Sequence, residues 1–71
     1  MNREVAAEVS ATMLEISRKL NASLLDVRDR CTPEEFDKYR RGVGVVMSDM
    51  LCEILNPLYR QHPDLKPPEM D

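Results

Sequence analysis

The sequence predicts an all-α fold, and three observations point to it. Apolar residues recur every three or four positions, which is the period of an α-helix. Glycine occurs only at positions 42 and 44, and aromatic residues only at 36, 39 and 59, so strands and tight turns lack the residues they favour. The segment Thr-Pro-Glu-Glu at 32–35 has the pattern of a helix start. Together these features predict two long helices that meet at this segment.

The first predicted helix spans residues 3–31, and no proline interrupts it. Asn2 suits the N-cap position. The weakest point is 21–23, where Ser23 and Asp26 would cap a second helix start. However, the apolar stripe keeps its phase across this segment and is about 100° wide, so we predict one continuous helix. The stripe consists of Ala6, Val9, Met13, Ile16, Leu20, Leu24, Val27 and Cys31.

The second predicted helix spans residues 33–56. Thr32 is predicted to be its N-cap, Pro33 its first helical residue, and Glu35 the residue that completes a capping box. A connection of about one residue between two helices implies that they lie side by side with opposite directions. The sequence therefore predicts a long antiparallel two-helix hairpin.

The prediction for the C-terminal part of the chain depends on its prolines. Pro57 is predicted either to stop or to kink the second helix, because proline lacks an N–H group and its ring clashes with the carbonyl four residues back. Asn56 is predicted to cap one short further turn over 57–61. Residues 62–71 are rich in proline and are predicted to form an extended tail. Residues 1–61 are accordingly assigned to the helical hairpin domain.

The second helix is apolar on more than one face. Its main stripe covers about 140° of the helical projection, and Asp49 and Glu53 are nearly the whole polar sector of its later half. A helix that is hydrophobic nearly all round is normally buried on several sides. In a chain of 71 residues one other helix is available to cover it, so we predict a homodimer that completes a four-helix bundle. The predicted interface consists of Val43, Val46, Met47, Met50, Leu51, Ile54, Leu55 and Leu58.

The two glycines of the second helix have two alternative explanations. Each costs about 1 kcal/mol relative to alanine in a helix interior. Gly42 and Gly44 either weaken or kink the helix locally, or Gly44 and Ser48 form a groove that a partner helix approaches closely. The sequence leaves these alternatives open.

Catalytic, cofactor and metal sites are not expected. Glu34 and Glu35 fit a helix start, and Asp49 and Glu53 fit a solvated strip, better than either pair fits general acid–base catalysis. Two cysteines and one histidine are too few for a structural zinc site. In the predicted hairpin, Cys52 lies about 27 Å from the level of Cys31, so an intrachain disulfide is not expected either. The sequence thus predicts a protein that is not an enzyme.

Charge and hydropathy bear on partners and location. The net charge is −3, with 10 basic and 13 acidic residues that are well mixed. The basic residues near the predicted turn lie among acidic ones, which is typical of surface ion pairs and makes nucleic acid an unlikely partner. No apolar run approaches a membrane span and no signal core is evident, so a cytoplasmic protein without membrane contact is expected. The basic residues in question are Arg28, Arg30, Lys38, Arg40 and Arg41.

The function expected from these features is protein–protein interaction or regulation by a homodimeric helical bundle. One alternative is a module that buries its second helix on a different protein, as a small inhibitor or antitoxin-like protein would. Another is a nucleic-acid-associated regulator that uses the basic turn. The C-terminal tail, with Leu65 and Met70, would either recognise a partner or cover the end of the bundle.

Overall fold

The computed structural model describes residues 1–68. Within this range every regular element is helical and no strand occurs, so the predicted all-α class is confirmed. The first half of the chain is one long helix. The second half is a run of helical segments that follow one another without a break up to residue 61. The elements are α1 (Arg3–Arg30), α2 (Pro33–Asp49), a π-helical segment (Met50–Leu55), α3 (Asn56–Gln61) and a 3₁₀ turn (Pro63–Leu65).

Helix α1 is continuous over 28 residues, as predicted, and Ser23 does not start a second helix. Asn2 is its N-cap, because the Asn2 side chain accepts a hydrogen bond of 2.9 Å from the Val5 N–H. The helix ends at Arg30, since Cys31 adopts an extended backbone while its N–H still bonds the Val27 carbonyl. The predicted boundaries of this helix are therefore correct to within one residue.

The predicted capping box at the start of α2 is present. The Thr32 hydroxyl accepts a hydrogen bond from the Glu35 N–H at 3.2 Å. The Glu35 carboxylate accepts one in return from the Thr32 N–H at 3.1 Å. These bonds satisfy two backbone donors that the first helical turn otherwise leaves free. The Thr32 N–H and, to a smaller extent, the Thr32 hydroxyl donate to the Glu35 carboxylate and lower the pKa of that carboxyl, so these bonds weaken only as the pH falls through the lowered pKa.

Replacement of Thr32 by alanine is expected to lower the free energy of unfolding by about 1 kcal/mol, because the Glu35 N–H loses its side-chain acceptor. Urea denaturation followed by circular dichroism would measure the loss. Thr12→Ala is a suitable control, since the Thr12 hydroxyl bonds the Glu8 carbonyl within α1 and caps no helix end. An unchanged midpoint for Thr32→Ala would mean that the junction is frayed in solution.

The helix does not end at Asn56, so of the two alternatives predicted for Pro57 the stop is wrong. The chain passes through Pro57 without leaving helical geometry, and Asn56 is the first residue of α3 rather than its N-cap. The Asn56 N–H bonds the carbonyl of Leu51, five residues back, so the turn before the proline is wider than an α-helical turn. We attribute the continuation to this π-helical segment, because the wider turn accommodates the ring that would otherwise clash with the carbonyl of Glu53.

The first arm is α1, and the second arm is α2 with the π-helical segment and α3. The two arms are joined by side-chain contacts between residues far apart in sequence. The hydroxyls of Ser23 and Tyr39 are 2.6 Å apart near the connection, and those of Ser10 and Tyr59 are 2.6 Å apart near the other end. Residues earlier in the first arm thus contact residues later in the second arm, so the arms run in opposite directions, which is consistent with the predicted hairpin. The resulting body measures 44 × 19 × 16 Å.

The main core lies at the open end of the hairpin, away from the connection. Ala6, Leu55, Leu58 and Tyr59 are buried there against one another. The Tyr59 hydroxyl reaches the buried Ser10, so the polar atom of the tyrosine is satisfied inside the protein. Val9, Met13 and Leu65 pack around this cluster. A second buried position, Val43, lies nearer the connection.

The first part of the C-terminal tail is folded rather than extended, which corrects the prediction. The 3₁₀ turn docks on the start of α1, where Asp64 forms an ion pair of 2.6 Å with Arg3. The His62 Nε2 lies 3.0 Å from the Met1 carbonyl. Leu65 packs on the main core and covers its end. The predictions for 69–71, Met70 included, lie outside the described residues.

Candidate interaction surface

The eight residues predicted to form an interface have different environments. Three are buried inside the single chain and are therefore unavailable to a partner: Val43, Leu55 and Leu58. Met47 and Met50 are half-buried. Val46, Leu51 and Ile54 are exposed. The interface remains a prediction. Five of its eight residues are accessible to a partner, rather than all eight.

The π-helical segment explains why the buried side chains differ from those predicted. A bond to the residue five positions back inserts about one extra residue into the helical turn, which rotates later side chains by about 100°. An uninterrupted α-helix would place Ile54 on the main stripe and Tyr59 away from it. After the rotation, Leu55 and Tyr59 are buried and Ile54 is 38% exposed. The segment therefore decides which apolar side chains remain on the surface.

Five exposed apolar side chains lie on one face of the hairpin. Ile16 and Ser23 are seven residues apart on α1, and Tyr39 and Val46 are seven apart on α2, so each pair shares a side of its helix. Because the Ser23 and Tyr39 hydroxyls are hydrogen-bonded, these two sides meet on the same face. Val5 lies eleven residues before Ile16 and extends the first row. Ile54 extends the second row, because the wider π-helical turn reduces its rotation away from Val46. We call this set the apolar face: Val5, Ile16, Tyr39, Val46 and Ile54.

A separate cavity of about 430 Å³ lies between the two arms. On α1 it is lined by Leu14, which is two positions from Ile16 and therefore points about 200° away from it. This places the cavity mouth away from the apolar face. Among the residues that the structure describes, no charged side chain lines it, and the other lining residues are Ser17, Met47, Ser48, Met50, Leu51 and Leu55.

The two glycines of α2 are surrounded by open space. A β-carbon at Gly42 or Gly44 would meet no atom of residues 1–68 within 4 Å other than its chain neighbours and the backbone of its own helix. Helix α2 also remains regular from Pro33 to Asp49. Packing within the chain thus does not require glycine at either position, and local weakness has not produced a break. The close approach of a partner helix remains untested.

The basic residues around the connection are mostly engaged in ion pairs. Asp37 binds Arg40 at 2.8 Å and Arg41 at 2.9 Å, and its pKa is lowered by the Arg40 hydrogen bond and the Arg41 charge. On α1, Asp26 lies 3.4 Å from Arg30. All of these groups are largely exposed, so each pair stabilises the fold by little. The pairing reduces the charge available to contact phosphate groups.

The other candidate chemical groups lie apart from one another. Glu35 serves the capping box, and Asp49 and Glu53 are exposed. Within residues 1–68 no cluster of three or more histidine, cysteine or acidic side chains has the arrangement of a metal site. Cys31 lies at the connection and Cys52 in the π-helical segment, and both thiols are exposed.

The pair formed by Ser10 and Tyr59 was not predicted from the sequence. Ser10 occupies a position between Ala6 and Met13 on the apolar stripe of α1, at helical spacing. A hydroxyl at such a position is a signal that a buried polar partner faces it. The partner was not identifiable, because the phase of Tyr59 depends on the π-helical segment.

None of the helices in the described part of the chain combines the length and the hydropathy of a membrane span. No family model matches the chain, and comparisons with curated proteins and with solved structures find no match to it. The apolar face and the geometry around it are therefore the features from which a function can be inferred.

Proposed function

We propose that this protein is a non-enzymatic interaction or regulatory protein that acts as a homodimeric helical bundle. The observation that carries the proposal is the apolar face, on which Val46 is 49% exposed and lies on the same side as Ile16, Tyr39 and Ile54. Contiguous apolar surface of this kind marks interaction sites on soluble proteins. The proposed location is the cytoplasm, where the exposed thiols of Cys31 and Cys52 would stay reduced.

The core of the single chain is small, which favours burial of further apolar surface by a second chain. Among the described residues, the buried hydrophobic side chains are Ala6, Val43, Leu55, Leu58 and Tyr59. Single cores in chains of this size supply little stability, and association with another chain is a common supplement. A second copy would cover the apolar face along its length and would add a second layer of two helices.

A two-fold axis suits the apolar face because both helical arms contribute to it. In a two-fold dimer each copy presents the same patch to the other, so the patch must be self-complementary. Apolar side chains meet this condition without needing charge pairing. Each partly exposed side chain would contribute roughly 1 kcal/mol on burial. Since association has its own entropic cost, a reversible dimer is expected rather than an obligate one.

The mass in solution tests the proposal. Light scattering coupled to size-exclusion chromatography should give twice the chain mass of 8.2 kDa at about 100 µM, and a lower average mass on dilution to about 1 µM. A well-folded monomer at both concentrations would contradict the homodimer.

The alternatives predict different outcomes of the same measurement. A module built for a different protein would aggregate or lose its fixed tertiary structure when purified alone, since its apolar face would remain uncovered. A nucleic-acid-associated regulator would bind DNA or RNA with an affinity that falls steeply with salt. The ion pairs of Asp37 with Arg40 and Arg41 disfavour this last alternative.

A further inference from the structure

The cavity between the two arms is a candidate ligand site that lies apart from the apolar face. Its volume of about 430 Å³ is within the range of small-molecule sites. Helix α1 contributes Leu14 and Ser17, which are three residues apart and therefore lie on one side of the helix. The second arm forms the opposite wall with Met47, Ser48, Met50, Leu51 and Leu55, the last three from the π-helical segment.

The extent of the cavity favours a small molecule over a partner helix. Along α1 its wall covers one turn, about 5 Å from Leu14 to Ser17. A helix that docks in a groove is held by anchors spread over several turns, such as positions i, i+3, i+4 and i+7. A wall of one turn is too short for such anchors, whereas a compact ring system would fit beside it.

The lining is apolar apart from two hydroxyl groups. Among residues 1–68 no charged side chain lines the cavity. The Ser17 hydroxyl donates to the Met13 carbonyl at 3.0 Å, so its oxygen is left as an acceptor. Ser48 is exposed, and its hydroxyl is able to donate or to accept. This lining disfavours an ionic ligand, because the charge would lose its hydration without gaining a countercharge.

The same lining favours an aromatic guest over water. A buried water usually makes about three hydrogen bonds, more than two hydroxyl groups readily provide, and apolar cavities take up apolar guests instead. The thioethers of Met47 and Met50 make favourable contacts with aromatic rings, and their unbranched side chains adapt to the shape of a guest. In addition, π-helical turns are frequent at functional sites, and one forms part of this wall.

We infer that this cavity binds a neutral aromatic compound, with its rings against Met47 and Met50 and one hydroxyl or carbonyl group at Ser48. The cavity mouth points away from the apolar face, so the ligand and a second chain on that face would occupy different surfaces. The site is therefore independent of the proposed dimer.

Titration of the 71-residue chain, labelled with ¹³C at its methionine methyl groups, with 1-naphthol tests the inference. In nuclear magnetic resonance spectra the methyl groups of Met47 and Met50 should shift saturably and show nuclear Overhauser effects to the ring protons. The methyl group of Met13, which packs on the main core, should not shift. The charged analogue 1-naphthoate has the same rings and should bind about tenfold more weakly.

A matched pair of variants locates the site. Ser48→Leu places an apolar side chain in the cavity and should weaken 1-naphthol binding about tenfold or more, because the space for the rings is lost. Ala22→Leu adds a similar side chain at a position of α1 that does not line the cavity, and should bind as the unaltered chain does. Both positions are exposed, so the melting midpoints should stay close to that of the unaltered chain.

Several results would overturn the inference. One is the absence of saturable shifts at Met47 and Met50, and others are equal binding by the two variants or equal affinity for 1-naphthol and 1-naphthoate. Shifts of the same two methyl groups with protein concentration but not with 1-naphthol would also overturn it, since a second chain would then fill the cavity.

Discussion

Replacement of Leu55 by alanine is expected to lower the free energy of unfolding by about 2–5 kcal/mol. The Leu55 side chain is 4% exposed and packs with Ala6, Leu58 and Tyr59 in the main core. Truncation removes buried methyl groups and leaves a space that the surrounding helices fill only in part. For a chain of 71 residues this is a large part of the total stability. Urea denaturation followed by circular dichroism would measure the loss.

Leu51→Ala is the matched control, because it makes the same chemical change one turn earlier. Leu51 is 37% exposed, so its truncation should cost about 1 kcal/mol, well below the cost at Leu55. An uninterrupted α-helix would predict the reverse order, with Leu51 on the buried stripe and Leu55 at its edge. A larger loss for Leu51→Ala would therefore show that the π-helical segment is absent in solution.

Val46→Asp is expected to convert the proposed dimer into a folded monomer. The Val46 side chain is exposed in the single chain, so an aspartate there remains solvated and leaves the hairpin intact. In the dimer the same charge would lie in an apolar interface, where desolvation of an unpaired carboxylate is costly. Light scattering at about 100 µM should give the mass of one chain, while circular dichroism should show unchanged helicity.

Val45→Asp provides the control, because the same substitution is made one position away on the same helix. Val45 is 62% exposed and is rotated about 100° from Val46, which takes it off the apolar face. This variant should retain the dimer mass. If Val45→Asp dissociated the dimer and Val46→Asp did not, the contact would lie on another side of α2 and the apolar face would be the wrong surface.

Local sequence signals were sufficient for most of the secondary structure. The capping residues Asn2 and Thr32 act on backbone groups within three positions, so their effect is visible in the sequence itself. The unbroken apolar stripe correctly predicted one helix through Asn21. The apolar excess of the second arm was likewise evident, and it led to the expectation of a partner chain.

Local sequence signals could not show which way the side chains of the second arm point beyond Asp49. A helical projection assumes a constant rotation per residue, whereas the π-helical segment Met50–Leu55 changes that rotation without any glycine or proline inside it. The signal was Pro57, whose usual effect is to end a helix. In this chain, burial of Leu58 and Tyr59 beyond the proline accompanies continuation of the helix.

The sequence by itself determined the class of the fold, the first helix and the start of the second, because these depend on contacts between near neighbours in the chain. Tertiary packing determined which apolar side chains are buried. Ser10 is hydrogen-bonded to Tyr59, 49 positions away, and Leu65 packs on the core because the 3₁₀ turn docks there. Such pairings depend on the relative rotation of the two arms. A change of about 100° in that rotation exchanges one row of side chains for another, so only the packed molecule defines the apolar face.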